Sequence, residues 1–282
     1  MTAAVKTLLE QGSARLAATS QSPRLDAEVL LGHVLETGRA HLYANPDRIL
    51  SAAQTEEYGR LLDARCAGRP VAQLTGQREF WSMPLRITAD VLSPRPETEV
   101  LVETALRHIP LRDSCAVLDL GTGSGAIAIA IATERSRCLV TATDASPAAL
   151  AVARSNAAQL CPERIEFLTG SWFTPLAGRT FDLIVSNPPY IAEADSGLTD
   201  PELAYEPRQA LYSGPAGLDD IRVIVAKAAE HLRPNGWLLL EHGFDQGMAV
   251  MNLLQQAGFT ECETLADLAG QPRISLGRNP RR

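Results

Sequence analysis

Long hydrophobic runs and paired cysteines are both missing from this 282-residue sequence. The longest uninterrupted apolar run covers residues 126–132, far short of the roughly 20 residues that a transmembrane helix needs. The first residues also lack the apolar segment of a signal peptide. The five cysteines are scattered without a Cys-x-x-Cys pair, which argues against a zinc site or a disulfide framework. We therefore expect a soluble, cytoplasmic protein with reduced cysteines, no metal site and no membrane partner.

Positive charge is also scarce. Lys and Arg total 26 against 33 Asp and Glu, which gives a net charge of −7 and a pI near 5.3. Residues 1–78 carry a net charge of +1 and residues 79–282 a net charge of −8, and neither part contains a basic run. Because binding to nucleic-acid phosphates depends on clustered Lys and Arg, we expect no direct nucleic-acid binding.

The chain divides into parts of different character. Residues 1–78 have the pattern of a small helical bundle, with Ser22-Pro23 at one helix start and a capping box beginning at Ser51 at another. Residues 79–92 alternate loosely around Pro84, which predicts a β-hairpin linker. Residues 93–282 are the third and largest predicted part, and the total length suits one large domain with a small one.

From residue 115 onward, predicted strands alternate with predicted helices. Seven strands are predicted at residues 116–120, 139–143, 165–168, 181–186, 236–242, 261–265 and 273–277. This alternation predicts an α/β fold with a mostly parallel, doubly wound, seven-stranded Rossmann-like sheet covered by helices on both faces. Ligands of such sheets bind beyond the carboxyl ends of the strands, so the segments that follow strands are the candidate functional sites.

A glycine-rich loop, Asp119-Leu120-Gly121-Thr122-Gly123-Ser124-Gly125, follows the first strand. Glycines at a strand-to-helix turn let the backbone bend tightly and let a ligand approach closely. With Ala126 the loop also satisfies the Gly-x-Gly-x-x-Ala pattern of dinucleotide-binding proteins. A further interpretation of the same residues is a tight turn that binds no ligand. The acid before the loop and the third glycine favour a different resemblance, to the cofactor loop of S-adenosylmethionine-dependent methyltransferases, whose ligand carries no phosphate.

Asp144 ends the second strand, 19 residues after Gly125. A carboxylate at this point can accept hydrogen bonds from both hydroxyls of an adenosine ribose, in NAD and in S-adenosylmethionine alike. A turn aspartate before Ser146-Pro147 is the alternative. The glycine loop and Asp144 therefore predict a nucleoside site and leave the reaction open.

The segment Asn187-Pro188-Pro189-Tyr190, which follows the fourth strand, indicates the reaction. Two prolines fix the backbone and carry no N–H groups. The Asn187 side-chain oxygen and the Pro188 carbonyl can then accept both hydrogens of one planar –NH2 group, and the Tyr190 ring can pack on its face. Such a site works by positioning and directed hydrogen bonding, without a nucleophile or a metal. A strand-terminating turn is the structural alternative.

Together, the two motifs resemble those of amino-group methyltransferases, which include adenine-N6 and cytosine-N4 DNA enzymes. Further segments resemble one branch, the peptide chain release factor glutamine N5-methyltransferases. These segments are Arg69-Pro70-Val71, Gly76-Gln77-Arg78-Glu79-Phe80-Trp81, Pro94-Arg95-Pro96-Glu97-Thr98-Glu99, Tyr205-Glu206-Pro207-Arg208-Gln209-Ala210-Leu211 and Gly217-Leu218-Asp219. They run in family order, so the resemblance extends over nearly the whole chain.

The resemblance implies methylation of the side-chain amide nitrogen (N5) of the glutamine in the Gly-Gly-Gln motif of class 1 release factors, with S-adenosyl-L-methionine as cofactor and S-adenosyl-L-homocysteine as product. It implies that the N-terminal helices and the hairpin dock the release factor, and we expect a monomer. The implied cofactor residues are Asp119, Gly121, Thr122, Gly123, Ser124, Gly125, Asp144, Asn187 and Trp172, the last of them beside the adenine. The implied catalytic residues are Asn187, Pro188 and Tyr190, and the substrate-binding residues are Asn187, Pro188, Pro189 and Tyr190.

Departures from the family pattern lie outside the two ligand motifs, at Gln73, Ser93 and His242. We interpret His242 as a packed or partly exposed histidine, not an acid or base. For Trp172, a core aromatic is the alternative to a cofactor contact. The alternative function is a DNA amino-methyltransferase, which the net charge of residues 79–282 disfavours. A second alternative, a nicotinamide-dependent dehydrogenase, would explain the glycine loop but not residues 187–190. A third, a non-catalytic adaptor, would not need both the cofactor loop and the substrate loop to be intact.

Overall fold

The computed structural model describes residues 3–111, 114–195 and 201–280, which form two compact units. The first unit contains residues 3–77 and 201–205. The second contains residues 78–111, 114–195 and 206–280. None of the helices within the described ranges is long and apolar enough to cross a membrane.

Five helices make up most of the first unit. They are α1 (Val5–Leu16), α2 (Pro23–Val34), α3 (Arg39–Ala44), α4 (Ala52–Cys66) and α5 (Val71–Thr75). Leucines of the longer helices, among them Leu30 and Leu61, pack into one buried cluster. The predicted capping box at Ser51 is confirmed, because its side chain accepts from the Gln54 N–H and its own N–H donates back to the Gln54 side chain. Ser22 precedes α2 as predicted, but its hydroxyl donates to Asp26 over 3.0 Å instead of capping the helix backbone.

Residues 201–205 belong to the first unit, although the sequence prediction placed them in the 93–282 domain. They form a 3₁₀ turn in which Glu202 lies 2.7 Å from Arg65, a side chain only 5% exposed that also bonds Asp26 over 2.7 Å. The Tyr205 hydroxyl donates to the Ala67 carbonyl over 3.1 Å. A buried guanidinium needs carboxylate partners, and this one takes a partner from more than 130 residues further along the chain. Local sequence patterns carry no sign of such a pairing.

The predicted hairpin consists of β1 (Gln77–Phe80) and β2 (Met83–Arg86), so it starts and ends earlier than residues 79–92. Both turn residues, Trp81 and Ser82, have positive φ angles, 51° and 56°, as in the tight turns that favour Asn-Gly. Two hydrogen bonds hold Trp81 in this conformation: its backbone N–H donates to Glu99 and its indole to Glu134.

The second unit is built on a seven-stranded sheet, as predicted. Its strands are β3 (Cys115–Leu120), β4 (Cys138–Asp144), β5 (Ile165–Thr169), β6 (Phe181–Ser186), β7 (Leu232–Glu241), β8 (Thr260–Ala266) and β9 (Pro272–Arg278). The spatial order is β5-β4-β3-β6-β7-β9-β8. The first five strands in this order are parallel, whereas β9 runs antiparallel to β7 and β8 antiparallel to β9. Both faces of the central strands β3 and β6 are buried, which explains why their sequences are almost continuously apolar.

Five helices flank the sheet. They are α6 (Thr98–His108), α7 (Ala126–Glu134), α8 (Pro147–Leu160), α9 (Asp219–His231) and α10 (Gly247–Gln256). Helices α6, α7 and α8 pack one against the next, and α9 packs against α10. This arrangement confirms the Rossmann-like prediction.

Strand β7 is longer than the predicted strand at 236–242. It starts at Leu232, opposite Phe181 of β6, and its register then shifts so that Trp237 pairs with Leu183. Asn235, within the shifted stretch, has a positive φ of 65°. The Pro-Asn-Gly sequence at 234–236 indicates a turn, but in the structure these residues form an irregularity within β7.

The strand order brings two distant loops to one edge. Strands β3 and β6 are neighbours, with Leu120 paired to Ser186 at their carboxyl ends, although β4 and β5 lie between them in the sequence. The glycine loop follows β3 and the Asn-Pro-Pro-Tyr loop follows β6. Both loops therefore start from the switch point of the sheet, where ligands of doubly wound folds bind.

Candidate active site

A cavity of about 210 Å³ opens at this edge, within the second unit. Six residues predicted from the sequence line it: Gly121, Gly123, Asp144, Trp172, Asn187 and Pro189. Other lining residues were not predicted, and they include Asp90, Val91, Leu92, Ser171, Gln209 and Asp220. The described lining residues include three aspartates and no Lys, Arg or His. The negative charge of the cavity lining therefore suits a neutral or cationic ligand better than a pyrophosphate.

The glycine loop forms one wall of the cavity. Gly121 has φ +71°, and a Cβ added there would lie 3.4 Å from the Trp172 ring. Gly125 has φ +84°, and its added Cβ would lie 3.0 Å from Ile129 and 3.2 Å from Ala153. The positive φ disfavours a side chain at both positions. At Gly125 an added Cβ would also crowd α7 and α8, whereas at Gly121 it would only contact the Trp172 ring.

The remaining predicted loop residues do not line the cavity. Thr122 and Ser124 are buried, and Asp119 is fully buried beneath the loop. The Thr122 hydroxyl donates to Asp119 Oδ2 over 2.6 Å, and the Asn156 side chain donates to the Ser124 carbonyl over 2.9 Å. These side chains support the loop from behind, and their implied role in cofactor binding stays a prediction.

Asp144 connects the loop to the start of α8. Its Oδ2 accepts from the Gly123 N–H and its Oδ1 from the Ser146 N–H, each over 2.8 Å. A carboxylate oxygen has two lone pairs, so each oxygen retains capacity for a ligand hydroxyl. Ser146 in turn caps α8 by accepting from the Ala149 N–H. The side chain predicted to bind a ribose thus lies on the cavity wall in a fixed orientation.

Trp172 stands against the glycine loop in an unusual backbone conformation, with φ +48°. Its indole N–H donates to Asp220 Oδ1 over 3.1 Å, and Asp220 Oδ2 accepts from the Ser213 hydroxyl over 2.7 Å. Asp220 lies at the start of α9, and no local pattern distinguishes it from an ordinary first-turn acid of a helix. It is a cavity residue that the sequence reasoning missed.

The Asn-Pro-Pro-Tyr loop forms the facing wall, with Asn187 and Pro189 at the cavity. Pro188 is buried, and neither it nor Tyr190 is a lining residue. The Asn187 Nδ2 donates to the Thr98 hydroxyl over 3.2 Å. The Tyr190 hydroxyl donates to Glu241 over 3.4 Å, and the Tyr190 carbonyl accepts from the Gln246 side chain over 2.9 Å. The loop is therefore anchored on both sides.

Glu206 joins the two segments that form the rim of the cavity. It is 5% exposed, and it accepts from the Ser93 N–H over 3.1 Å and from the Arg95 guanidinium over 2.6 Å. On either side of this cluster, residues 90–92 and the residues Pro207, Gln209 and Ala210 line the cavity. Two of the sequence segments that carried the family resemblance thus meet at one buried ion pair.

Two carboxylates next to the cavity are buried and have raised pKa values. Burial raises the pKa of Asp119 to about 7, against the lowering effect of the Thr122 hydrogen bond. Burial likewise raises the pKa of Glu241 to about 7. His242 is fully buried, which lowers its pKa, and it bonds the Gly243 carbonyl and the Ser275 hydroxyl. The packed interpretation of His242 is confirmed.

Asp119→Asn should remove a pH dependence of stability. With a folded pKa near 7 and an unfolded value of about 3.9, Asp119 holds its proton in the folded state while the unfolded chain releases it. The free energy of unfolding of the wild type therefore falls as pH rises through this window, by about 1.4 kcal/mol per pH unit from this group. From pH 5 to pH 8, the unfolding free energy of the variant minus that of the wild type should therefore increase by about 2.6 kcal/mol, out of about 4 kcal/mol for the whole shift in pKa.

Urea unfolding at pH 5, 6, 7 and 8 measures this difference. Equal m values for the two proteins are the control that both unfold between comparable states. A difference in unfolding free energy that stays constant from pH 5 to 8 would show that Asp119 is ionised in the folded protein.

The seven-stranded sheet, the glycine loop and the Asn-Pro-Pro-Tyr loop define a Rossmann-like methyltransferase, and comparisons with known proteins agree. The sequence matches the PrmC N-terminal domain over residues 7–76 and the Methyltransferase small domain over residues 96–214. In fold, the chain is similar to the T. thermophilus 16S rRNA N2 G1207 methyltransferase in complex with AdoMet and guanosine. That likeness has a TM-score of 0.54 and 18% identity, and it covers 72% of this chain and 49% of that one.

Whole-length relatives identify the family. The release factor glutamine methyltransferase of Xylella fastidiosa strain Temecula1 is 49% identical over 264 residues, 94% of this chain and 96% of its own. The enzyme of the same name from Salmonella typhimurium is 45% identical over 259 residues, 92% of this chain and 93% of its own. The chain belongs to the release factor glutamine methyltransferase family.

Proposed function

We propose that this protein transfers the methyl group of S-adenosyl-L-methionine to the side-chain amide nitrogen (N5) of the glutamine in the Gly-Gly-Gln motif of class 1 release factors. The observation that carries the proposal is that Asp144 and Asn187 line the same cavity. One is the candidate ribose ligand and the other the candidate amide ligand. Family membership supports the release factor as substrate.

The residues of the cavity fit S-adenosylmethionine. Gly121 and Gly123 leave room for close approach on the wall that follows β3, Asp144 offers acceptors to two hydroxyls, and the Trp172 indole provides an apolar face for an adenine. The lining carboxylates without facing cations suit a ligand that carries sulfonium and ammonium charges, and they disfavour a dinucleotide. When bound, this cofactor supplies an electrophilic methyl group.

An amide nitrogen is a weak nucleophile because its lone pair is delocalised, so the enzyme must orient it. In the proposed arrangement Asn187 Oδ1 and the Pro188 carbonyl accept the two amide hydrogens, and the Tyr190 ring packs on the amide plane. As the N–C bond forms, positive charge grows on the nitrogen and its hydrogens. The two acceptors would become stronger partners as the bond between the methyl group and the sulfur breaks. S-adenosyl-L-homocysteine would be the other product, and one amide hydrogen would be lost to solvent as a proton. Positioning in line with the methyl group supplies the rest.

Transfer of labelled methyl from S-adenosylmethionine to a purified release factor tests the proposal. Label should enter the wild-type release factor and be absent from a variant in which the Gly-Gly-Gln glutamine is replaced by Ala. Duplex DNA is the substrate for the alternative, a DNA amino-methyltransferase, and should remain unlabelled. Label on DNA, or label that survives the glutamine replacement, would contradict the proposed function.

A further inference from the structure

A single glutamine side chain joins three segments at the carboxyl edge of the sheet. Gln246 lies just before α10, and its Nε2 group donates to the Tyr190 carbonyl over 2.9 Å. The same group lies 3.2 Å from the Ala216 carbonyl oxygen and 3.4 Å from that of Gly217. On the other side of the amide, Oε1 accepts from the Gly243 N–H over 2.9 Å. Gln246 therefore links the Asn-Pro-Pro-Tyr loop to the turn before α9 and to the turn after β7.

The chemistry of these partners fixes the orientation of the Gln246 amide. A carbonyl oxygen only accepts hydrogen bonds, and a backbone N–H only donates them. A flipped amide would place Oε1 against three carbonyl oxygens and the –NH2 group against the Gly243 N–H. Only the observed orientation pairs a donor with an acceptor at every contact, so the side chain holds the Tyr190 carbonyl in one defined way.

Gly217 makes room for this hydrogen bond because it has no side chain. Its φ is +67°, and a Cβ added there would overlap the Tyr190 carbonyl oxygen and lie 2.8 Å from Gln246 Nε2. Any other residue would therefore push the Tyr190 carbonyl or the Gln246 amide out of place. Gly217 belongs to one of the segments that carried the family resemblance, and this close approach gives a physical reason for the glycine.

The loop that Gln246 holds has few free torsion angles. The rings of Pro188 and Pro189 fix their φ angles. At the start of the loop, the Ser186 hydroxyl donates to the Leu120 carbonyl over 2.7 Å. A hydrogen bond to the Tyr190 carbonyl therefore fixes the far end of a stiff segment whose near end is already held. With both ends fixed, the Pro188 carbonyl and the Tyr190 ring each point in a defined direction.

We propose that Gln246 is a positioning residue for methyl transfer, which holds the Tyr190 end of the loop so that the Pro188 carbonyl and the Tyr190 ring meet the substrate amide. The effect on methyl transfer rests on the proposed function, whereas the effect on the order of the loop does not. Neither Gln246 nor Gly217 is among the described residues that line the cavity. Loss of the hydrogen bond should therefore impair the chemical step more than cofactor binding.

Gln246→Glu removes the donor with almost no change in volume. Once ionised, the new carboxylate can still accept from the Gly243 N–H, but it places an oxygen against the Tyr190 carbonyl. Gln255→Glu is the matched control, because Gln255 is an exposed residue of α10 that takes the same replacement and the same added charge.

Gly217→Ala disturbs the same contact from the other side without a change in charge. Its methyl group would overlap the Tyr190 carbonyl oxygen. Gly178→Ala is the matched control, because Gly178 has a similar φ of +72° and a Cβ added there would meet no atom of the described residues within 4 Å. A difference between the two alanine variants therefore reports the contact with Tyr190, not the strain of a positive φ.

The test that needs no substrate is hydrogen–deuterium exchange at pH 7.5. Its reporter is the Ile191 N–H, which donates to the Leu211 carbonyl over 2.8 Å directly after the loop. Exchange of this hydrogen should be at least about fivefold faster in Gln246→Glu and in Gly217→Ala than in the wild type, because the loop opens more often once its far end is released. Both control variants should exchange within twofold of the wild type.

The activity test uses the same proteins with release factor and S-adenosylmethionine. We expect kcat per cofactor site to fall about 10- to 100-fold in Gln246→Glu and Gly217→Ala, as for other positioning defects. Cofactor Kd and the KM for the release factor should stay within about threefold of the wild type. Calorimetric titration counts the cofactor sites, so a partly unfolded variant would show fewer sites instead of a lower kcat per site. Both controls should stay within threefold in every quantity.

The two tests separate the inference from the proposed function. Wild-type exchange at Ile191 in Gln246→Glu, or wild-type kcat in that variant, contradicts the inference. So do equal losses in Gly217→Ala and Gly178→Ala, because backbone strain alone would explain them. If Gly217→Ala does not fold, Gln246→Glu decides. If the wild type transfers no methyl to the release factor, the proposed function is wrong, and the exchange measurement still decides whether Gln246 orders the loop.

Discussion

Asn187→Ala should lower kcat by about 10²- to 10³-fold while cofactor Kd changes by less than about fivefold. Removing one preorganised polar group from a site of developing charge commonly costs this much, roughly 3–4 kcal/mol in the barrier. Asn187 lines the cavity, so some cofactor contact is lost. The larger loss falls on the substrate amide, which keeps only the Pro188 carbonyl as an acceptor and can rotate out of line with the methyl group. Single-turnover methyl transfer and calorimetric cofactor titration measure the two quantities.

Asn252→Ala provides the matched control for this variant. Asn252 lies on an exposed part of α10, and the same chemical replacement there should leave kcat and cofactor Kd unchanged. Full activity in Asn187→Ala would remove Asn187 from the chemistry. A parallel loss of kcat and cofactor affinity would make it a cofactor ligand and leave the amide-binding role without support.

Much of this site could be predicted because its motifs are contiguous. Residues 119–125 and 187–190 each combine a strand end, a turn and a ligand-facing group within a few positions, so local chemistry was enough to single them out. Their meeting at one cavity also followed from the sequence, since alternating strands and helices predict a parallel sheet with ligands at its carboxyl edge.

What could not be predicted depends on contacts between distant parts of the chain. Asp220 is 48 residues from the Trp172 indole that it binds, and Thr98 is 89 residues from Asn187. In the sequence, Thr98 is a helix-start threonine and Asp220 a first-turn acid, and both have ordinary local explanations. Only the packing of α6 and α9 near the sheet edge brings Thr98 to Asn187 and Asp220 to Trp172. For the same reason the sequence prediction left residues 201–205 in the 93–282 domain, because their partners in the first unit are Arg65 and Ala67.

Asp144→Ala should raise the Kd for S-adenosylmethionine by about 10²-fold or more. Hydrogen bonds to a charged group contribute about 1.5–3 kcal/mol each, and the proposed ribose contact involves two. The variant also leaves the Gly123 and Ser146 N–H groups without their acceptor, which loosens the loop at the cavity. Isothermal titration with S-adenosylmethionine and with S-adenosylhomocysteine measures the change, and both ligands should be affected equally because they share the ribose.

Asp182→Ala distinguishes ligand binding from general support of the sheet. Asp182 also accepts from a backbone N–H, that of Ala116 over 2.8 Å, and it pairs with Arg233. It lies near the start of β6, at the amino edge of the sheet and away from the cavity. This variant should lose stability and keep its cofactor Kd, whereas Asp144→Ala should lose affinity even at temperatures where it is fully folded. If Asp144→Ala binds S-adenosylmethionine within threefold of the wild type, Asp144 only braces the glycine loop, and the ribose of the cofactor must be held by other cavity residues.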